Sequence, residues 1–349
     1  MKRLMCGLLL GMLCLPLGGC RGEEMERFFI TTAMAIDWEE GQYILKLEGS
    51  ADEMDENRGP KAVLREGRGS NLTQCFLDIQ KQTGEYPYTR QTELILLSGK
   101  IPPDPLRHLL DDLLNQNGVR LNARIAMTGG RAGDLLKEEE FASRHILQAM
   151  TKGGGTLTSA DILLRDLAHA RAEWGIDPVL PLTFADRTEG LCLLRGHTVA
   201  GQISSRLMPV FMMAGGTLRG GSITVEVGGE ACAFKLLHNK GDIDVRWENG
   251  QAKATVKIEG EFRAANRLTD APALYEAALR KRLEEDLLAL VHTLQAAGCD
   301  ALGFGQQLAR RHPMLWTEIG PHWAKHFAAC TVEPEIAVTI TTTGKLKAE

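Results

Sequence analysis

Residues 28–49 read FFITTAMAIDWEEGQYILKLEG. Two apolar, β-rich runs, Phe28 to Asp37 and Tyr43 to Gly49, flank the polar interruption Trp38-Glu39-Glu40-Gly41-Gln42, and this pattern predicts a β-hairpin. The residues beyond Gly49 make the hairpin the opening of a mixed α and β region and not of an all-β one. Ala51 to Gly69 is charged and broken by Gly and Pro, so it reads as a loop. Ser70 then caps a helix whose Leu72, Cys75, Phe76 and Ile79 fall at i, i+3, i+4 and i+7 on one stripe. Leu94 to Ser98 is a short apolar strand. Asp104-Pro105 opens a helix in cap-then-proline order, with the stripe Leu106, Leu109, Leu110, Leu113 and Leu114 and with Gly118 as its stop. Arg124 to Thr128 reads as a strand. Helical patterns span Asp134 to Leu147 and Ser159 to Ala172, separated by the glycines at 153–155.

Pro178 to Thr188 reads as a boundary, because the texture beyond it is strand-first. Leu191 to Arg195, Ile223 to Val227, Ala231 to Leu237, Ile243 to Trp247 and Ala252 to Glu259 are strand-like, and Asn249-Gly250 is a hairpin turn. A long helix from about Leu274 to Ala296 keeps helical spacing through Leu279, Leu283, Asp286/Leu287, Leu290/Val291 and Leu294. Shorter helices are expected over 306–311 and 317–330, then a closing strand over Glu335 to Thr342. The expected fold class is α+β: mixed sheets with packed helices in two unlike regions, 20–185 and 186–349. The first is open to subdivision near residues 153–155.

Working back from the hairpin, the first residues form a different kind of segment. Lys2 and Arg3 precede an uncharged apolar run, Leu4 to Leu17, which suits a secretory leader and is short for a bilayer span. It ends in Leu17-Gly18-Gly19-Cys20, an aliphatic residue and two small residues before a Cys, the pattern of a bacterial lipobox. The reading is a signal peptide over 1–19 and lipidation at Cys20, since two or more acyl chains anchor stably where one does not. Residues 21–27 are a charged linker that reaches about 25 Å at most, so the folded part must stay near the headgroups. The formal charge of −5 becomes −7 without Lys2 and Arg3, which argues against general affinity for nucleic acid or anionic lipid. Cys75, Cys192, Cys232, Cys299 and Cys330 remain, an odd set without a C-x-x-C pair, and buried free thiols account for them.

Catalytic patterns are lacking: no G-x-S-x-G, H-E-x-x-H, Walker loop or G-x-G-x-x-G occurs. Gly303-Phe304-Gly305 comes after a helix and makes no phosphate loop. His322 and His326 stand four apart, with His312 upstream and Cys330 beyond, a spacing that could share a metal. Ile319, Trp323, Phe327 and Cys330 mark the buried stripe of the same helix, however, and both His then sit at its edges. Trp316 and Trp323 read as core anchors, and the acidic clusters 138–140 and 284–286 as solvated helix faces.

Several ordered features together carry a resemblance. Cys20 is followed by a short acidic segment and by an apolar strand, Phe29 to Ile36, ending in Asp37. Gly69-Ser70, Tyr88 and Leu94-Ile95-Leu96-Leu97 make a middle block. At the C-terminal end stand Asp300, Gly303, Phe304, Gly305, Pro313, Trp316, Trp323, Phe327 and Gly344. In this order the chain resembles the Ger(x)C family, the lipoprotein C subunits of nutrient-germinant receptors in endospore-forming bacteria. It departs from the family at Arg21-Gly22, where Trp-Asp is usual, and at Gln91, where His is common. The resemblance implies a non-enzymatic subunit without cofactors, on the outer face of the spore inner membrane. Its implied partners are a multi-pass A subunit and a transporter-like B subunit, and Cys20 is the one functional residue carried over. Two other classes compete. A solute-binding lipoprotein should show two similar lobes, and a lipid-anchored cell-wall hydrolase needs an acid or metal centre.

Overall fold

The computed structural model describes residues 28–50, 61–115, 118–138, 140–152, 162–169, 174–218, 220–266 and 268–341. The hairpin forms as β1 (Phe28–Glu39) and β2 (Gln42–Ser50), antiparallel. Its turn is tighter than the sequence pattern implies: only Glu40 (φ 50°) and Gly41 (φ 81°) lie outside the ladder, a backbone that matches the right-handed strand twist. Trp38 therefore belongs to β1 and meets Tyr43 edge-on, with centroids 4.7 Å apart.

Residues 62–69, expected as part of a loop, form β3 (Ala62–Gly69), which pairs antiparallel with β2 at the end of the sheet. Arg65, Glu66 and Arg68 hide the apolar alternation there, because an edge strand is held largely by its ladder to one neighbour. The stripe of Leu72, Cys75 and Ile79 is buried on α1 (Leu72–Thr83), with Phe76 at its border. Its cap is Asn71, not Ser70: Asn71 Oδ1 accepts from Gln74 N at 2.9 Å, while Ser70 pairs with the Gln74 amide oxygen.

After β4 (Tyr86–Tyr88) come β5 (Leu94–Ser98), α2 (Pro103–Asn115) and β6 (Arg124–Thr128), with β1, β4, β5 and β6 all parallel. β5 is buried on both faces: Ile95 and Leu97 join α1 and α2, whereas Leu94 and Leu96 face Ala142, Ile146 and Met150 of α3 (Ala142–Lys152). The helix expected from Asp134 thus begins only at Ala142, and Glu138 and Glu140 lie exposed ahead of it instead of on a helix face. Of the pattern over 159–172, α4 (Leu164–His169) is helical, and 153–161 and 170–173 lie outside the described residues.

The sheet continues past the expected change of texture. β7 (Val179–Thr183) pairs parallel with β6 and antiparallel with β8 (Thr188–Arg195), which pairs with β9 (Thr198–Ser204). β8 is where the two regions share a wall: Cys192 and Leu194 enter the first core, Leu191 and Leu193 the second.

That second core lies between α5 (Met208–Ala214), a four-stranded sheet and the C-terminal helices. The sheet runs β10 (Ser222–Val227), β11 (Glu230–Glu248), β12 (Gln251–Ala264) and β13 (Thr331–Ile340), the last parallel to β12. Two strands expected over 231–247 are one continuous β11, and Asn249-Gly250 makes the turn to β12. The long helix α6 (Pro272–Ala297) buries Tyr275, Leu279, Leu283, Leu287, Leu290 and Leu294. Asp286, expected on a solvated face, is buried between Arg206 (2.7 Å to Oδ1) and Arg282 (2.7 Å to Oδ2). The helices α7 (Phe304–Arg311), α8 (Pro313–Ile319) and α9 (Trp323–Ala328) lead from α6 to β13. The architecture is α+β in two unlike regions, as the sequence pattern implies.

Candidate functional site

The buried polar chemistry converges on the turn between α6 and α7. Gly298 ends α6 in the left-handed conformation (φ 60°), and two residues later Asp300 is 1% exposed. Its carboxylate accepts four N–H groups. Oδ1 takes Gly303 N at 2.9 Å and Phe304 N at 3.0 Å; Oδ2 takes Gly305 N at 2.7 Å and Trp323 Nε1 at 2.8 Å. The first three are the amides that open α7, so Asp300 acts as a remote cap for that helix and a negative charge at its positive end. The fourth ties the turn to α9. Burial pushes the Asp300 carboxyl up to about 6, against the pull of these donors toward the ionised form.

The glycines in this motif are explained by close approach. A Cβ on Gly305 would lie 2.6 Å from Trp323 Nε1 and 2.7 Å from the Trp316 ring. Those indoles pack at 5.5 Å between centroids, and Phe327 continues the stack onto Phe304.

The turn also grips the first region. Asp300 N donates to Asp177 Oδ2 at 2.7 Å, Asp177 N donates to the Asp300 carbonyl at 2.9 Å, and Gln306 N donates to the Gly175 carbonyl at 2.8 Å. Gly175 (φ 75°) has no room for a side chain, since a Cβ would stand 2.3 Å from the Gly305 carbonyl carbon. Asp177 is buried too; its carboxyl is pushed up by desolvation, with Arg195 pulling in the other direction. Residues 175–177 lead directly into β7, so the motif clamps the strand entering the shared sheet. The sequence pattern of 175–178 gave no sign of this, because Asp177 lies 123 residues from its partner.

Asp37, the acid that ends the first apolar strand, plays a similar part. Its two oxygens accept Ala132 N at 2.7 Å and Gly133 N at 2.8 Å, fixing the loop after β6. Glu48, which sequence reading passed over, accepts Thr32 Oγ1 at 3.1 Å and both the amide and the hydroxyl of Ser143 at the start of α3. Asp37, Glu48 and Asp300 thus work as fixed acceptors for main-chain and side-chain donors, an arrangement that holds loops in place.

The His pattern does not assemble a centre. The His326 ring packs edge-on against Trp247 at 5.3 Å, and no three metal-donor side chains converge among the described residues. Cys75, Cys192, Cys232, Cys299 and Cys330 are buried free thiols; burial pushes the Cys75 and Cys330 thiols up to about 12 and Cys192 to about 11, far from a reactive thiolate. Cys20 and Gly344 lie outside the described residues. No described helix is long and apolar enough to cross a membrane.

Two family profiles match in tandem. Residues 21–183 match the spore germination protein N-terminal domain, and residues 189–344 match the spore germination B3/GerAC-like C-terminal domain. The chain belongs to the GerAC-like spore germination family. Among relatives of this family, YfkR of Bacillus subtilis (strain 168), whose name assigns it to spore germination, is 20% identical over 96% of this chain and 95% of its own length. The crystal structure of the GerBC protein superposes with a TM-score of 0.60 at 16% identity, covering 88% of this chain and 96% of that one, so the fold is shared. Within this family member, Asp37 and the Asp300 motif, two of the features that carried the resemblance, are thus loop-fixing and region-joining devices. Tyr88 of the middle block meets Phe28 edge-on with centroids 6.0 Å apart. Pro313 occupies the first turn of α8, where its missing N–H is harmless.

Proposed function

We propose that this chain is the non-enzymatic C subunit of a nutrient-germinant receptor, tethered by an acylated Cys20 after removal of residues 1–19. It would stand on the outer face of the spore inner membrane beside a multi-pass A subunit and a transporter-like B subunit. The observation that carries the reading is the tandem match of both germination domains over nearly the whole chain. The Asp300 cluster supports it, because both Asp300 carboxylate oxygens are taken up by donors of the chain itself, Gly303 N, Phe304 N, Gly305 N and Trp323 Nε1. Two unlike regions also fit a receptor subunit better than a two-lobed solute-binding lipoprotein. We further take 20–185 and 186–349 as the two sequence units, joined through the shared strands β7 to β9.

The test is a deletion strain whose spores are given their nutrient mixture or calcium dipicolinate, a trigger that bypasses the receptor in the family picture. Loss of the nutrient response alone is expected, and equal loss of both would place the protein downstream of sensing. Separately, Cys20→Ala should abolish fatty-acid labelling and release the chain from membranes in an alkaline wash. Retention with labelling would overturn the anchor.

A further inference from the structure

The parallel strands of the nine-stranded sheet all begin at one edge, and that edge is unusual in what it exposes. Phe28 starts β1 where the chain arrives from residue 27, and Tyr86 pairs with it in register at the start of β4. The rings of Phe28, Tyr86 and Tyr88 cluster, with centroids 6.2 and 6.0 Å from Phe28. Leu121 lies three residues ahead of β6, and Trp174 lies five residues ahead of β7 across the turn at Gly175; both strands run parallel to β1 through the intervening strands. A hydrogen bond of 3.0 Å from Thr89 Oγ1 to the Gly118 carbonyl brings the segment before β6 beside β4. Tyr86, Leu121 and Trp174 are 39%, 48% and 46% exposed, three of the eight large apolar side chains left exposed among the described residues. The parallel topology puts the segments that carry these three at the same end of the sheet.

We propose that this strand-start edge is the membrane-facing surface of the protein, with Tyr86, Leu121 and Trp174 seated in the headgroup layer. The inference deepens the anchor reading and takes its direction from it, because only residues 21–27 separate Cys20 from Phe28. Such a linker spans about 25 Å at most. Rings with an apolar body and a polar tip partition to the lipid–water boundary, which suits Tyr86 and Trp174. Charge is not what the edge offers a membrane. Arg90 and Glu93, on the segment between β4 and β5, and Arg120, ahead of β6, are all exposed, so both signs of charge occur near this edge. The match is to the interfacial zone itself and not to an anionic surface. The opposite edge, at the far ends of β1 and β5, would then face outward. Leu97 of β5 pairs with Ile36, eight residues along β1 from Phe28, roughly 26 Å away at about 3.3 Å per residue.

The experiment places a benzophenone side chain at Tyr86, at Trp174 or at the exposed Lys100 beyond the end of β5, each in the full-length chain. The chains are inserted in vesicles of phosphatidylethanolamine and phosphatidylglycerol and irradiated. Lipid adducts are expected at 86 and 174, with none above background at 100. Adducts at 100 equal to those at 86, or no lipid adduct at 86, would overturn the orientation. In native membranes, adducts at 86 to protein alone would overturn it in favour of a subunit interface. The mass of the N-terminal peptide from the same sample reads Cys20 acylation separately. An unacylated Cys20 with the contrast intact removes the anchor and keeps the edge, whereas an acylated Cys20 without the contrast removes the edge alone.

Discussion

Replacing Asp300 with Ala withdraws the acceptor from four N–H groups at 2.7–3.0 Å in a place that water does not reach. A buried donor left unpaired costs about 1–3 kcal/mol, so the gross loss is about 4–12 kcal/mol. Against this stands the strain of keeping the carboxylate ionised. Its pKa of about 6 against 3.8 corresponds to about 3 kcal/mol at neutral pH, at about 1.36 kcal/mol per unit. The donors win, and the difference leaves a net loss of about 1–9 kcal/mol. The pH dependence has a definite sign. Because the folded carboxyl holds its proton more tightly than the unfolded one, the native state binds more protons between about 4 and 6, and stability falls as pH rises through that window. The variant should lose the part of this slope that belongs to Asp300 and keep the part that belongs to Asp177. Urea unfolding followed by tryptophan emission at several pH values reads both quantities, since Trp316 and Trp323 sit at the site. A loss below about 1 kcal/mol at pH 7, or an unchanged slope, would refute the assignment of Asp300 as the acceptor that closes this turn.

Gly305→Ala forces a methyl into two indole rings and should lower stability by about 1–3 kcal/mol in a thermal melt; an unchanged melting temperature would mean that the rings are not packed as described. Trp323→Ala removes both the ring stack and one Asp300 donor and should cost about 3–5 kcal/mol, lowering the level of the protein in spores on an immunoblot. Trp323→Phe should recover much of that level, and equal levels for the two variants would argue against a packing role. Asn71→Ala should cost about 1 kcal/mol in urea unfolding through loss of the α1 cap, while Ser70→Ala should cost less; the reverse order would return the cap to Ser70.

What the sequence determined by itself is whatever depends on near neighbours in the chain. The stripe of Leu72, Cys75 and Ile79, the leucines of α2 and the long run of α6 announce their helices because period and burial agree over consecutive turns. Asn249-Gly250 fixes its hairpin for the same reason, as only a short list of residues accepts positive φ. The order Asp300, Gly303, Phe304, Gly305, Trp316, Trp323 marked the family, although not the reason for the order. Tertiary structure decided the rest. β3, β7 and β9 have little pattern of their own and exist because a neighbouring strand offers a ladder. Asp286 read as a solvated acid until Arg206, 80 residues away, came to cover it. Asp37 became structural only when Ala132 and Gly133, 95 and 96 residues away, folded onto it, whereas Asp300 caps amides three to five residues on and gains only Trp323, 23 away, from further off. A carboxylate in a sequence carries no sign of whether water or four N–H groups will surround it. That depends on which loops the sheet brings alongside, and burial without those donors would be too costly for the fold to keep.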